Sequence, residues 1–390
     1  MPGALLALLQ LFFALTWIVY VIYLPELAAQ AGLDRRYVPM ILIMDQVIFL
    51  ACDWWAGLYA DRAARTVGGI GGTLAVATLA SCGAFIALPW IAPAAGPFPF
   101  LLLTILWSAT SSALRAPPLA LVARHVSAEH QPWTTSLYLF GFGVASAVAP
   151  FLAIELRQVD PRIPFAAASL GLAAFVFALV AAEHRWSPAP DLKRAAPAAA
   201  ERGTMLLFGA AVLLFAIGFQ VHFAINSAPS YLRFARAEDL PKLMPVFWIG
   251  FNLAILPATL LPKRFGGAIV MAAAGFLGIV ALIASVRAPG LEPLMIAEAM
   301  AGAAWGIALT SAMTAALEAG RTGREGLFTG LLFSTMAASA LIRLGLIVGH
   351  VPAHASFGPR LVDLPIAAWL VASFLAAVVA FRVMRGDQAD

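Results

Sequence analysis

Apolar residues run along the chain in long unbroken stretches, separated by short clusters of Pro, Gly and charged residues. The stretches are continuous rather than alternating in and out at every second position, as the strands of a membrane barrel do. Most approach the roughly 20 residues that an α-helix needs to cross a bilayer. Twelve runs are discernible, at about 4–29, 37–60, 67–91, 98–122, 133–156, 163–183, 204–230, 241–262, 267–287, 292–318, 326–350 and 363–384. The pattern predicts an all-α integral membrane protein with 12 transmembrane helices.

The sixth and seventh runs are separated by the one long polar stretch, which carries Asp191, Lys193 and Arg194 among Ala and Pro. It divides the chain into an N-terminal six-helix bundle (1–183), a linker (184–203) and a C-terminal six-helix bundle (204–390). When the basic residues are assigned to alternate sides, 13 fall with the linker, nine fall opposite, and Arg115 and Arg343 remain inside spans. Positive charge is retained on the cytoplasmic side, so the excess places the linker and both termini there, as in a bacterial inner membrane. The first apolar run, Leu5 to Leu24, is longer than a signal-peptide core and is expected to be retained as a span.

Composition removes other classes. The chain is 62% hydrophobic and 11% charged, with mean hydropathy +0.90, whereas soluble domains carry roughly 25% charged residues. Net charge is +4, but the cations are scattered among connections instead of forming a stripe for nucleic acid. Cys52 and Cys82 lie inside apolar runs and suit small buried side chains, not a disulfide or a metal site. No catalytic or metal spacing emerges, and no cofactor is expected. Gly141-Phe142-Gly143 and the glycines at 68–72 suit close helix packing. A faint internal echo links Trp107-Ser108-Ala109-Thr110 in the fourth run to Trp305-Gly306-Ile307-Ala308 in the tenth, as corresponding helices of two related halves would show.

After the second run the chain reads Gly57-Leu58-Tyr59-Ala60-Asp61-Arg62-Ala63-Ala64-Arg65. This resembles the loop signature of the major facilitator superfamily, Gly-x-Leu-Ala-Asp-Arg-x-Gly-Arg-Arg. Gly57, Ala60, Asp61, Arg62 and Arg65 match, while Tyr59, Ala64 and Thr66 depart from it. The resemblance implies a fold of two pseudo-symmetric six-helix bundles and a gate, with the cluster latching the halves in the outward-facing state. The second half keeps only Lys263-Arg264 in a basic turn without the acid. Two further patterns of the family are incomplete: no Arg stands a dozen residues before Pro117 or Pro118, and Ala149-Pro150 replaces the Gly-Pro of many exporters.

Charged residues at membrane depth usually face a partner or an aqueous cavity. Asp45 lies at a depth where the first helix offers Thr16, Tyr20 and Tyr23 on one face. It reads either as a proton-coupling residue or as a structural carboxylate held by hydroxyls. Glu298 and Arg343 share a depth and are expected to pair, either as a static brace or as a group that meets an anion or a proton. Asp53 and Arg115 share another level and are expected to form a structural or gating pair. His222 and Asn226, four residues apart, are expected to face together and, with Asn252, to bond either a polar ligand or neighbouring helices. His222 titrates in the physiological range when unperturbed. Trp107 and Trp305 read as cavity walls for an aromatic ligand or as packing.

These readings converge on a secondary transporter that moves a small organic solute by alternating access, coupled to protons through Asp45, Glu298 or His222 and working as a monomer in the lipid bilayer. Export is favoured over uptake. The alternative from another class is a non-transporting sensor or a membrane enzyme on the same scaffold.

Overall fold

The computed structural model describes residues 2–66, 70–127, 129–183, 185, 202–320 and 323–386, so the expected linker lies largely outside the described residues. The described residues form twelve helical units: α1 (Pro2–Gln30), α2 (Val38–Thr66), α3 (Gly71–Ala95), α4 (Pro97–His125), α5 (Gln131–Glu155), α6 (Arg162–Glu183), α7 (Gly203–Tyr231), α8 (240–265), α9 (Gly267–Arg287), α10 (Leu291–Gly320), α11 (Glu325–Val348) and α12 (Leu364–Gly386). Eleven are long and apolar enough to cross a membrane. The exception is α8, expected as one run over 241–262. It is divided into Leu240–Leu243, Pro245–Ile255, a 3-10 turn Pro257–Thr259 and Leu260–Phe265, because Pro245, Pro257 and Pro262 each lack the N–H that would continue the helix. A 3-10 turn, Ser112–Leu114, likewise interrupts α4 just before Pro117-Pro118.

Packing shows the internal symmetry. In the first half α1 packs on α5 and α6, α3 packs on α4 and α6, and α2 packs on α4. Adding six to each index gives the second half: α7 on α11 and α12, α9 on α10 and α12, and α8 on α10. Between halves, α2 packs on α11 and its symmetry mate α8 packs on α5, while α4 meets α11 and α10 meets α5. The protein is therefore two related six-helix bundles, as parallel repeats in transporters are.

Small residues set the tight crossings. Gly141 of α5 lies against the backbone of Ala7, and Gly143 lies against Asn252 and Phe251 of α8. Trp369 of α12, fully buried, fits against Gly218 of α7 and Gly278 of α9, and its indole N–H donates to the Phe215 carbonyl at 2.9 Å. Cys82 is buried and Cys52 half-buried, both as free thiols.

Candidate functional site

Among the described residues, the acids expected at membrane depth and their partners form three groups, one at the end of α2 and two deeper in the bundles. At the first, Asp61 is fully buried although it lies in the last turns of α2. Its Oδ1 accepts the N–H of Gly326 at 2.9 Å and its Oδ2 accepts that of Leu327 at 2.8 Å. These are unsatisfied donors in the first turn of α11, where a helix carries partial positive charge. Arg124 of α4 lies 3.4 Å from Asp61 Oδ1 and 3.6 Å from Glu325 Oε2, bridging the two acids. The contact is possible because Gly57 meets Gly326 and Gly330 with no side chain between them. Arg62 is exposed, and the Arg65 side chain lies outside the described residues.

Two turns deeper, Arg115 Nη1 donates to Asp53 Oδ2 at 2.6 Å, as expected. The guanidinium also sits over two rings, Phe49 of its own half at 5.0 Å and Phe333 of α11 at 5.1 Å. Cation–π attraction therefore extends the pair across the interface between the halves.

The second group centres on Asp45, which has no exposed surface. Tyr20 donates to Oδ2 at 2.8 Å and Ser108 of α4 donates to Oδ1 at 2.6 Å. Among the described residues no cation pairs with it. The other two expected hydroxyls do not reach it. Thr16 turns back onto the Phe13 carbonyl, and Tyr23 donates to the carbonyls of Leu156 and Val159 beyond the end of α5. Sharing a helix face was not enough, because Tyr23 lies two turns from Thr16 and meets a different neighbour. Trp107 forms the wall, tilted against Tyr20 at 4.6 Å and Phe85 at 4.9 Å and stacked on Trp17 at 6.2 Å.

The third group corrects two expectations. Glu298 does not pair with Arg343. Its Oε1 accepts from Ser285 of α9 at 2.8 Å, its Oε2 accepts from Ser227 at 2.9 Å, and His222 Nε2 lies 3.2 Å from Oε1. The His contact is close enough for an ion pair when the ring is protonated, but it is not a well-directed hydrogen bond. Equal depth fixed the level of Glu298 but not its direction, and α7 and α9 fill its acceptors. Nor do His222 and Asn226 share a partner, since Asn226 donates to the Leu361 carbonyl at 2.8 Å. A π turn at His222–Asn226 is the cause. A regular helix sets residues five apart about 140° from each other, and the wide turn instead brings Ser227 round to the side of His222. Such single turns are frequent at functional sites. Asn252 donates to the Trp248 carbonyl, leaving its Oδ1 buried without a partner. Trp305, also buried, stacks on Phe219 at 4.7 Å, and its indole N–H has no partner.

Ser108, Ser227, Ser285 and Arg124 escape a reading of the sequence. Serines are common among the small residues of these helices, and only the acids they meet distinguish them. Glu183 at the end of α6 also escapes it. Its carboxylate accepts the N–H groups of Ile70 and Gly71, fixing the start of α3; of the glycines expected to pack closely, Gly71 lies against Glu183 and Val180, Gly72 meets no neighbour, and 68 and 69 lie outside the described residues.

Comparison with known proteins gives the following. Residues 6–343 match the sequence model of the family described as Major Facilitator Superfamily. No curated protein sequence matches. Among solved structures the chain is similar to the human organic anion transporter MFSD10 (TETRAN), at 13% identity and TM-score 0.70, over 97% of this chain and 98% of that one. It is similar to the E. coli fucose:proton symporter FucP at 15% identity and TM-score 0.67, over 97% and 98% of the two chains. A bacterial homologue of the iron transporter ferroportin in the outward-facing state has 15% identity and TM-score 0.71, over 97% and 99%. At these identities the likeness is one of fold.

Proposed function

Because the chain belongs to the major facilitator superfamily, we propose that it is a proton-coupled secondary transporter that moves a small organic solute between its two bundles by alternating access. The bundles are 1–183 and 204–390, joined by 184–203, and the Asp61 end faces the cytoplasm of a bacterial inner membrane together with both termini. The conformation is then one closed toward the cytoplasm, and the chain works as a monomer.

The observation that carries the coupling is the setting of Asp45. A buried carboxylate held by two neutral hydroxyls suits proton binding and release, since a hydroxyl donates to a carboxylate and accepts from a carboxylic acid equally well. The Glu298–His222 pair supports a second titratable position in the other bundle. Aromatic clusters around Trp107 and Trp305, with few charges, support an organic solute and export as its direction.

The test has two stages. Thermal stabilisation across a library of metabolites and drugs at two pH values identifies a ligand, because a ligand that binds only the folded state raises the melting temperature. Proteoliposomes with an imposed pH gradient then measure its flux. Gradient-driven flux supports the reading, and binding without flux under any gradient would replace it with a sensor. Flux driven only toward the cytoplasmic side would replace export with uptake.

A further inference from the structure

Among the described residues, the charged side chains of the three groups each have a partner, and Arg343 does not. Asp53 has Arg115, Asp61 and Glu325 have Arg124, and Glu298 has His222. Asp45 has two hydroxyls. Arg343 of α11 has none of these. No described residue forms a hydrogen bond or ion pair with it, and its Nε is buried without a partner. A guanidinium cannot discharge itself by losing a proton, so among these groups it is the one permanent charge left uncompensated.

Arg343 is half-buried, and its place on α11 turns it away from the exposed residues at its own level. At 100° per residue, the faces of α11 are distinct. Gly326 and Gly330 lie against α2, and Phe333, Ala337, Ala340 and Leu344, all buried, continue the same stripe. Leu331, Ile342 and Gly345, all exposed, mark the lipid side. Arg343 continues the stripe of Leu332, Met336 and Ser339, about 120° from the lipid side. It therefore points among α11's neighbours, α2, α4, α7 and α10. The acids of their spans near this level are committed elsewhere: Asp45 to Tyr20 and Ser108, and Glu298 to α7 and α9. Val348, the last residue of α11, is five positions on, about 7.5 Å along the axis, so the charge is set back from the helix end.

We propose that Arg343 is the docking point for the carboxylate of an organic anion, which makes the transported solute a carboxylate. The proposal rests on the transport reading for the word transported, but not for the binding. A planar guanidinium matches a carboxylate through paired N–H···O bonds, which hold orientation as well as charge. The bound anion supplies the counter-charge that the protein withholds.

The test uses full-length protein and a panel of carboxylates from acetate to naphthoate, each beside its neutral amide. At least one acid should raise the melting temperature while its amide does not, and Arg343→Gln should weaken that acid's binding about 10- to 100-fold, the worth of a charge-assisted hydrogen bond. Arg343→Lys should recover only part of the loss. Arg343→Gln without ligand should melt no lower than the parent, since no internal partner is left behind. A clear drop would reveal a structural partner and overturn the proposal. Acids and amides binding alike, an acid unaffected by the variant, or no acid binding would each overturn it too. Repeating the comparison in phosphatidylcholine and phosphatidylglycerol vesicles separates the remaining source of an anion. A difference between parent and variant seen only with phosphatidylglycerol would assign Arg343 to a lipid phosphate and overturn the solute reading. Acid binding through Arg343 without flux would instead overturn transport and leave the site standing.

Discussion

Asp61 and Gly326, 265 residues apart, are joined by a hydrogen bond of 2.9 Å between a carboxylate of the first bundle and a main-chain N–H of the second. With the second bond to Leu327, the acid serves as the missing cap of α11 and so holds the halves together by completing a helix.

Asp61→Asn keeps one acceptor oxygen but loses the charge, the second acceptor and the attraction of Arg124. Hydrogen bonds to a charged group contribute about 1.5–3 kcal/mol each, so the closed population at this end should fall at least about tenfold relative to the open one. Spin-label distances between the ends of α2 and α11 would report the shift, and an unchanged distribution would show that the glycine contact alone closes the gate.

Gly57→Leu should have a stronger effect in the same direction. A Cβ there would meet the Gly326 carbonyl oxygen and the Cα of Gly330, both backbone, so the helices must separate. The labels should report little or no closed state, while helix content by circular dichroism stays unchanged. A normal closed population would mean that α2 can rotate without loss.

Asp45→Asn preserves shape and offers partners to both Tyr20 and Ser108. On the proposed function it should abolish accumulation driven by a pH gradient and leave ligand exchange measurable. Gradient-driven accumulation at the parent's rate would make Asp45 a structural carboxylate.

His222→Gln leaves Glu298 buried with only Ser227 and Ser285. Removing one partner of a buried ion pair typically costs about 3–5 kcal/mol, so at a pH where the ring is protonated the melting temperature should drop accordingly. Adding Glu298→Gln should restore much of the loss. Exchanging charges as Glu298→Arg with Arg343→Glu should restore nothing, because the two do not meet; rescue there would contradict the arrangement of α9, α10 and α11.

The fold was legible because hydropathy integrates over long stretches, and α9 was placed at its observed ends. Averaging also hid what matters locally. Three prolines that divide α8 sit inside a window that remains apolar overall. The contact of Asp61 was legible because charged residues are rare here, and a family signature surrounds it. Tyr20–Asp45 and Asp53–Arg115 followed from depth and helix face. The Glu298 network did not, since its outcome depends on the π turn, which no spacing rule announces and which decides whether residue 226 or 227 meets α10. Depth is a single coordinate read from sequence; azimuth needs the packing.

The contact between Asp61 and α11 has a lopsided information content. Its N-terminal side must be a carboxylate, but its C-terminal side is main chain, which at position 327 every residue except proline supplies, while position 326 must be glycine to admit the acid. Replacing the side chain at position 327 by another non-proline residue therefore leaves the N–H that Asp61 reads in place, so no exchange of residue types can compensate a lost acid. Correlated changes between residue 61 and its partner at 327 should be absent from related chains, although this hydrogen bond joins the two halves.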